Sequence, residues 1–129
     1  MGENLKNRPQ ELTKAELEIM QIIWKKEKVL VHDILADLPE PKPAYNTVST
    51  IVRILENKGF VSHKAYGRTY EYFPAVAKED YTNTYMRNVL NNFFDGSVSR
   101  MVNFFSAQKS ISVEETDEIL KILNGESNT

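Results

Sequence analysis

The sequence predicts a mainly α-helical fold with one small two-stranded β wing, followed by a separate C-terminal helical region. Three observations predict it. Apolar residues recur at helical spacing in three stretches before residue 60, two strand-like runs around a glycine follow, and helical spacing returns after Pro74.

Residues 1–11 contain Gly2, Asn4, Asn7 and Pro9 and read as a flexible arm. The first helix starts at Thr13, where Thr13 and Glu16 are spaced as a capping box and Leu12 and Leu17 as a hydrophobic staple. It runs to about Glu27 and is expected to bury Leu17, Met20, Ile23 and Trp24, with Ile19 and Ile22 widening the stripe. Val29-Leu30-Val31 is long enough only for a brief strand. Val31, Ile34, Leu35 and Leu38 then mark a short second helix, and Pro39, Pro41 and Pro43 force an extended turn after it. A third helix spans roughly Tyr45 to Lys58, buried through Val48, Ile51, Val52 and Leu55 and closed by Gly59. Phe60–His63 and Thr69–Phe73 read as strands, with Lys64–Arg68 as the turn between them. Three helices followed by a hairpin is the winged helix-turn-helix order, and it is expected to occupy residues 12–77.

Residues 78–129 change character. A helix rich in Tyr, Asn and Phe runs from about Lys78 to Phe94 and stops at Asp95-Gly96. Ser97 can cap another, with Val98, Met101, Val102 and Phe105 on one face. Ser112 and Glu115 make a second capping box, opening a last helix with the stripe Thr116, Ile119, Leu120 and Leu123 and an end at Asn124-Gly125. Short amphipathic helices of this kind do not close a core alone. A second copy is the economical cover, so this region is expected to be the dimerisation region. Its interface residues would be Tyr85, Val89, Phe93, Met101, Val102, Phe105, Ile119, Leu120 and Leu123.

Composition narrows the function. The chain has 129 residues, 41% hydrophobic and 26% charged, in the range of a globular protein. Cysteine is absent, which removes disulfides and thiolate metal sites, and His32 and His63 alone make a poor imidazole site. No metal or cofactor is expected. There is no membrane-length apolar run and no secretory leader, so no membrane insertion is expected and the cytoplasm is the default compartment. The chain shows no phosphate-cradling glycine loop and no nucleophile–base spacing, so it is not expected to be an enzyme. Glu114-Glu115 and Asp117-Glu118 resemble paired carboxylates, but first-turn acids on a helix dipole explain them more simply.

The net charge of −2 argues against nucleic-acid binding, although residues 1–77 are net +1 and residues 78–129 net −3. What matters is clustering on one face. At about 100° per residue, the third helix turns Asn46, Ser49, Thr50, Arg53 and Asn57 away from its buried stripe. Asn can bond bidentately to adenine, Arg to guanine or phosphate, and Ser or Thr to either. No acid interrupts this face until Glu56 at its side. The candidate DNA contacts are Asn46, Thr47, Ser49, Thr50 and Arg53, with Lys64 and Arg68 flanking the hairpin turn around Tyr66. A plain solvated helix face and an ordinary exposed hairpin remain the simpler alternatives.

The arrangement resembles the penicillinase-repressor family (BlaI/MecI type). The matching stretches are Leu12–Met20 with Trp24, Tyr45-Asn46-Thr47-Val48, Asn57–Val61, Gly67-Arg68, and Tyr70-Glu71-Tyr72 before Pro74. Phe94-Asp95-Gly96-Ser97 and Met101-Val102-Asn103-Phe104 match in the second half, so the resemblance covers about residues 11–124. It implies a transcriptional repressor acting as a homodimer on double-stranded DNA at an inverted-repeat operator. In the antibiotic-responsive branch a membrane sensor-protease leads to cleavage of an Asn-Phe bond, here Asn103-Phe104. The copper-responsive branch uses C-terminal cysteines, which this chain lacks. Two departures stand out: Leu30 replaces the usual Ser or Thr cap of the second helix, leaving its start less firmly fixed, and prolines crowd the following turn. Two other readings stay open. One is a winged-helix module for protein–protein contact, and the other a small-ligand repressor with Tyr81, Tyr85, Phe93 and Phe94 lining a pocket in the dimer interface.

Overall fold

A computed structural model describes residues 11–108 and 111–125. The expected arm of residues 1–11 lies almost wholly outside the described residues. The chain divides into two compact units, one ending at Tyr85 and the other beginning at Met86.

In the first unit, α1 (Lys14–Lys26) opens on the capping box the sequence predicts. Thr13 Oγ1 accepts from the Glu16 N–H at 3.2 Å, and Glu16 Oε1 accepts from the Thr13 N–H at 2.9 Å. The helix buries Ile19, Met20 and Ile23 fully. Leu17 and Trp24, expected in the core, are only half-buried, because the stripe centres one residue-step toward Glu16 and Ile19. Glu16 is the buried charge that this shift creates.

Val29 pairs with Tyr72 through hydrogen bonds of 2.9 and 2.7 Å, so the brief strand is a single bridge onto the wing. Helix α2 (Val31–Asp37) follows directly. Its Leu30 cap has no side-chain acceptor, yet the start is fixed, since Asp33 Oδ2 reaches back to the Leu30 N–H at 2.8 Å. The proline turn then carries a cis Glu40–Pro41 bond.

Helix α3 (Tyr45–Asn57) buries Val48, Val52 and Leu55. It ends as the sequence predicts, with Gly59 at φ +86°. The Phe60 N–H reaches the Leu55 carbonyl at 2.9 Å and the Gly59 N–H the Glu56 carbonyl at 3.0 Å, a Schellman closure that drops Phe60 into the core.

Strands β1 (Val61–Tyr66) and β2 (Thr69–Pro74) pair antiparallel from Val61↔Pro74 to Tyr66↔Thr69. The turn is therefore Gly67-Arg68 alone, and the five-residue turn expected from the sequence is corrected. Gly67, at φ +65°, supplies the one positive φ that a two-residue type II′ connection needs. Lys64, Ala65 and Tyr66 belong to the strand.

Helix α4 (Lys78–Phe94) begins in this first unit. Tyr81 lies beside Phe60 and Trp24, with ring centroids 5.7 and 6.0 Å away, and its hydroxyl accepts from the Leu12 N–H at 2.9 Å. Trp24 Nε1–H donates to the Val76 carbonyl at 2.9 Å. Tyr81 thus packs on the winged helix, and its ring also lies 5.9 Å from that of Tyr85.

The second unit comprises the rest of α4, then α5 (Val98–Ala107) and α6 (Val113–Leu123). Ser97 and Ser112 cap their helices as expected, the latter in a full capping box with Glu115. Phe104 packs edge-on to Phe94 at 5.7 Å. Among the described residues of this unit none is buried.

Candidate nucleic-acid interface

The site is built on α3, held in place by contacts that sequence spacing does not reveal. Lys58, its C-cap, sends Nζ to both oxygens of Glu16 at 2.9 and 3.0 Å, fastening the end of α3 to the start of α1. Burial alone would raise the Glu16 pKa. The Thr13 backbone hydrogen bond and the Lys58 ammonium outweigh it and hold the carboxyl below its ordinary value. At the other end, Lys42 Nζ donates to the carbonyls of Leu35, Ala36 and Leu38 at 3.1, 3.1 and 2.7 Å. It closes α2 where a cation suits the helix dipole and fixes the turn that leads into α3.

So positioned, α3 presents Asn46, Thr50, Arg53 and Asn57 along one exposed line, i, i+4, i+7 and i+11, opposite Val48, Val52 and Leu55. Thr47 and Ser49 stand on opposite flanks of it. Thr47 borders a groove shared with Ala15, Glu18 and the three prolines of the turn. Ser49 lines a cleft of about 370 Å³ with His32 and Tyr45 on one side and Arg68, Thr69 and Tyr70 of the wing on the other. The structure thus brings Arg68 beside α3.

Lys64 is placed differently from the expectation. It sits within β1 opposite Glu71, on the sheet face away from buried Val61 and Tyr72, with Nζ 5.3 Å from the Tyr66 ring centroid. Tyr72 itself is shielded: burial first, then the Glu56 charge, pushes its hydroxyl pKa up, with Arg53 opposing. Glu56, at the side of the outward face, is turned to His63 on β1 at 2.6 Å.

The interface and cleavage residues expected between Tyr85 and Leu123 are mostly accessible. Phe93 is 76% exposed, Leu120 52%, Phe105 42% and Tyr85 38%, while Val89, Met101, Val102 and Ile119 are half-buried. The Leu123 side chain lies outside the described residues. Asn103 and Phe104 are exposed on α5. Among the described residues no group of His, Cys, Asp or Glu gathers to hold a metal, and no helix is long and apolar enough to cross a membrane.

The family model described as "Penicillinase repressor" matches residues 12–125. The chain belongs to the penicillinase repressor family. It is 30% identical over 125 residues to the penicillinase repressor of Bacillus licheniformis, covering 96% of this chain and 97% of that protein. It is 28% identical over 119 residues to the methicillin resistance regulatory protein MecI of Staphylococcus aureus (strain N315), covering 92% of this chain and 97% of that one. A solution structure of the DNA binding domain of the repressor BlaI shares 29% identity, with a TM-score of 0.49 over 57% of this chain and 90% of that chain. A penicillinase repressor is a transcriptional regulator and not an enzyme, so the acids at the start of α6 need no catalytic role. Glu114 and Glu115 lie in its first turn, where the helix dipole stabilises them.

Three features of this repressor lay beyond the reach of sequence reasoning: the Lys58–Glu16 pair, the Lys42 clamp and the Glu56–His63 contact. The first joins residues 42 positions apart and the second a lysine to bare carbonyls, neither of which leaves a periodic signal.

Proposed function

We propose that the chain is a cytoplasmic, sequence-specific DNA-binding repressor that acts as a homodimer on an inverted-repeat operator. The observation that carries this is the exposed line of α3. Asn46, Thr50 and Arg53 offer amide, hydroxyl and guanidinium to base edges, and the nearby carboxylate of Glu56 faces His63. Thr47 and Ser49 reach the flanking backbone, and Arg68 holds phosphate from the wing. Lys64 is the weakest of the proposed contacts, since Glu71 opposes it across the sheet. A relative named as a penicillinase repressor at 30% identity, and one named as a methicillin resistance regulatory protein at 28%, both over nearly the whole chain, support the same reading.

Dimerisation is assigned to α4–α6. Their exposed Phe93, Phe105 and Leu120 leave apolar area that a second copy would cover, each large side chain being worth about 1.5–3 kcal/mol when fully buried. A two-fold dimer sets two α3 helices in successive major grooves, about 34 Å apart or a multiple of it.

Release of the operator is assigned to a regulatory protease cutting Asn103-Phe104. The bond lies inside α5, so the helix must open locally before it is cut. Cutting would detach Phe104 and Phe105 together with α6, weakening the dimer and with it the simultaneous hold on two half-sites.

The test of DNA binding is a titration of the full chain with a duplex carrying the inverted repeat from its own promoter, across a range of salt. Affinity should fall steeply with salt, because neutralised phosphates supply much of it. Binding without salt dependence would favour the protein-contact alternative. For release, the comparison is the full chain against a fragment ending at Asn103. Equal dimer and operator affinities would rule out inactivation by this cut.

A further inference from the structure

A carboxylate beside a DNA-facing helix would repel phosphate if left to itself, yet Glu56 stands at the edge of the α3 face. Its Oε2 lies 2.6 Å from His63 Nδ1 in the wing. An ionised carboxylate only accepts, so Nδ1 carries the proton and donates it. The His63 ring then stacks on Tyr70 of β2, centroids 4.2 Å apart and planes within 13°, with Tyr72 tilted against it at 5.7 Å. Tyr70 lines the cleft that Arg68 shares with Ser49 and Tyr45 of α3. One unbroken series of contacts therefore runs from the recognition helix, through His63, to the residue two positions from the wing's guanidinium.

Both partners are close to 30% exposed, a setting in which a side-chain pair adds little to folding. Geometry is what such a pair can govern. A two-stranded hairpin is marginal by itself, and its free end, from Lys64 to Tyr70, is exposed throughout. His63 is the last position of β1 before that end, and Glu56 ties it to α3.

We infer that Glu56 and His63 are positioning residues for operator recognition: they hold the Tyr70 ring, and with it the Arg68 turn, at a fixed place beside α3. One half-site then meets helix and wing together. Neither residue is assigned a contact with DNA. The inference rests on the DNA-binding reading above, and it adds that specificity depends on a contact hidden behind the reading surface.

The experiment uses the full chain and the duplex that the parent selects from random-sequence DNA, against a scrambled duplex of equal length at one salt concentration. The variants are Glu56→Ala, Glu56→Gln, His63→Phe, and the double change Glu56→Ala with His63→Phe. His63→Phe keeps an aromatic ring to stack on Tyr70 and loses the imidazole nitrogens, the Nδ1–H donor among them. Glu56→Gln keeps an acceptor oxygen. Glu56→Ala and His63→Phe should each lose up to about tenfold on the selected duplex, the range of one net hydrogen bond, and less than twofold on the scrambled one. The double change should lose no more than the worse single, and Glu56→Gln should stay within about twofold of the parent. Thermal unfolding is followed in parallel, and should Glu56→Ala fail to fold, His63→Phe decides alone. Parent-like affinity in His63→Phe, equal losses on both duplexes, or additive losses in the double change would overturn the inference. If the parent prefers no duplex at all, the DNA-binding reading falls first, and the positioning role with it.

Discussion

Met20, Ile23, Ile34, Val48, Val52 and Leu55 of the first unit have no exposed surface, whereas Phe93, Val113 and Ile122 of the second are each more than 60% exposed. Both regions are built from short amphipathic helices with well-formed caps, so local pattern does not separate them. What separates them is a second layer. In the first unit α1, α2 and α3 cross over one another, and the wing closes the remaining side through Val61 and Tyr72. The described helices of the second unit leave large apolar side chains exposed, and it is this area that the proposed second copy would cover.

Core substitutions should break this contrast most sharply. Ile23→Ala should destabilise the first unit by about 2–5 kcal/mol in urea unfolding, as for other buried large-to-small changes. Leu120→Ala should shift that unfolding by less than about 0.5 kcal/mol and appear instead as a weaker dimer in sedimentation. A Leu120→Ala effect as large as that of Ile23→Ala would mean the second unit has a closed core after all. At the reading face, Arg53→Ala and Asn46→Ala should each cost about 1–3 kcal/mol on the selected duplex and leave the unfolding midpoint unchanged. Lys42→Met removes three carbonyl contacts at the α2 C-terminus and should cost about 1 kcal/mol of stability, measurable by thermal unfolding.

The smallest effect concerns acid. The Glu16 pKa is lower in the folded chain than in the unfolded one, so its contribution is full above the ordinary unfolded value of a glutamate and is lost as pH falls through the folded value. Glu16→Gln should therefore flatten the acid limb of the stability profile in this window. An unchanged acid limb would show that the Lys58 pair contributes no linkage.

Helix order, both full capping boxes and the Gly59 closure were legible in the sequence, because each is written in spacing of three to five residues. The hairpin was only half legible. Ala65 and Tyr66 look like turn residues beside Gly67, but pairing with Tyr70 and Thr69 is decided by the partner strand, which local pattern does not encode. The burial of Glu16 was hidden for the same reason, since a capping acid is ordinarily exposed and only Lys58 explains its position. Among the proposed contacts, the line Asn46–Thr50–Arg53 followed from helical geometry alone. The separation of Lys64 from Arg68 followed from register, and so had to await the structure.

The contrast between the units is tested most directly by sedimentation equilibrium, comparing the full chain with a fragment ending at Tyr85. That end point keeps Tyr81 on Trp24 and Phe60, so the first unit retains its packing. The fragment should remain folded, sediment as a monomer at every concentration, and bind a half-site weakly, while the full chain sediments as a dimer. A fragment that still dimerises, or a full chain that stays monomeric at micromolar concentration, would contradict the assignment of dimerisation to α4–α6.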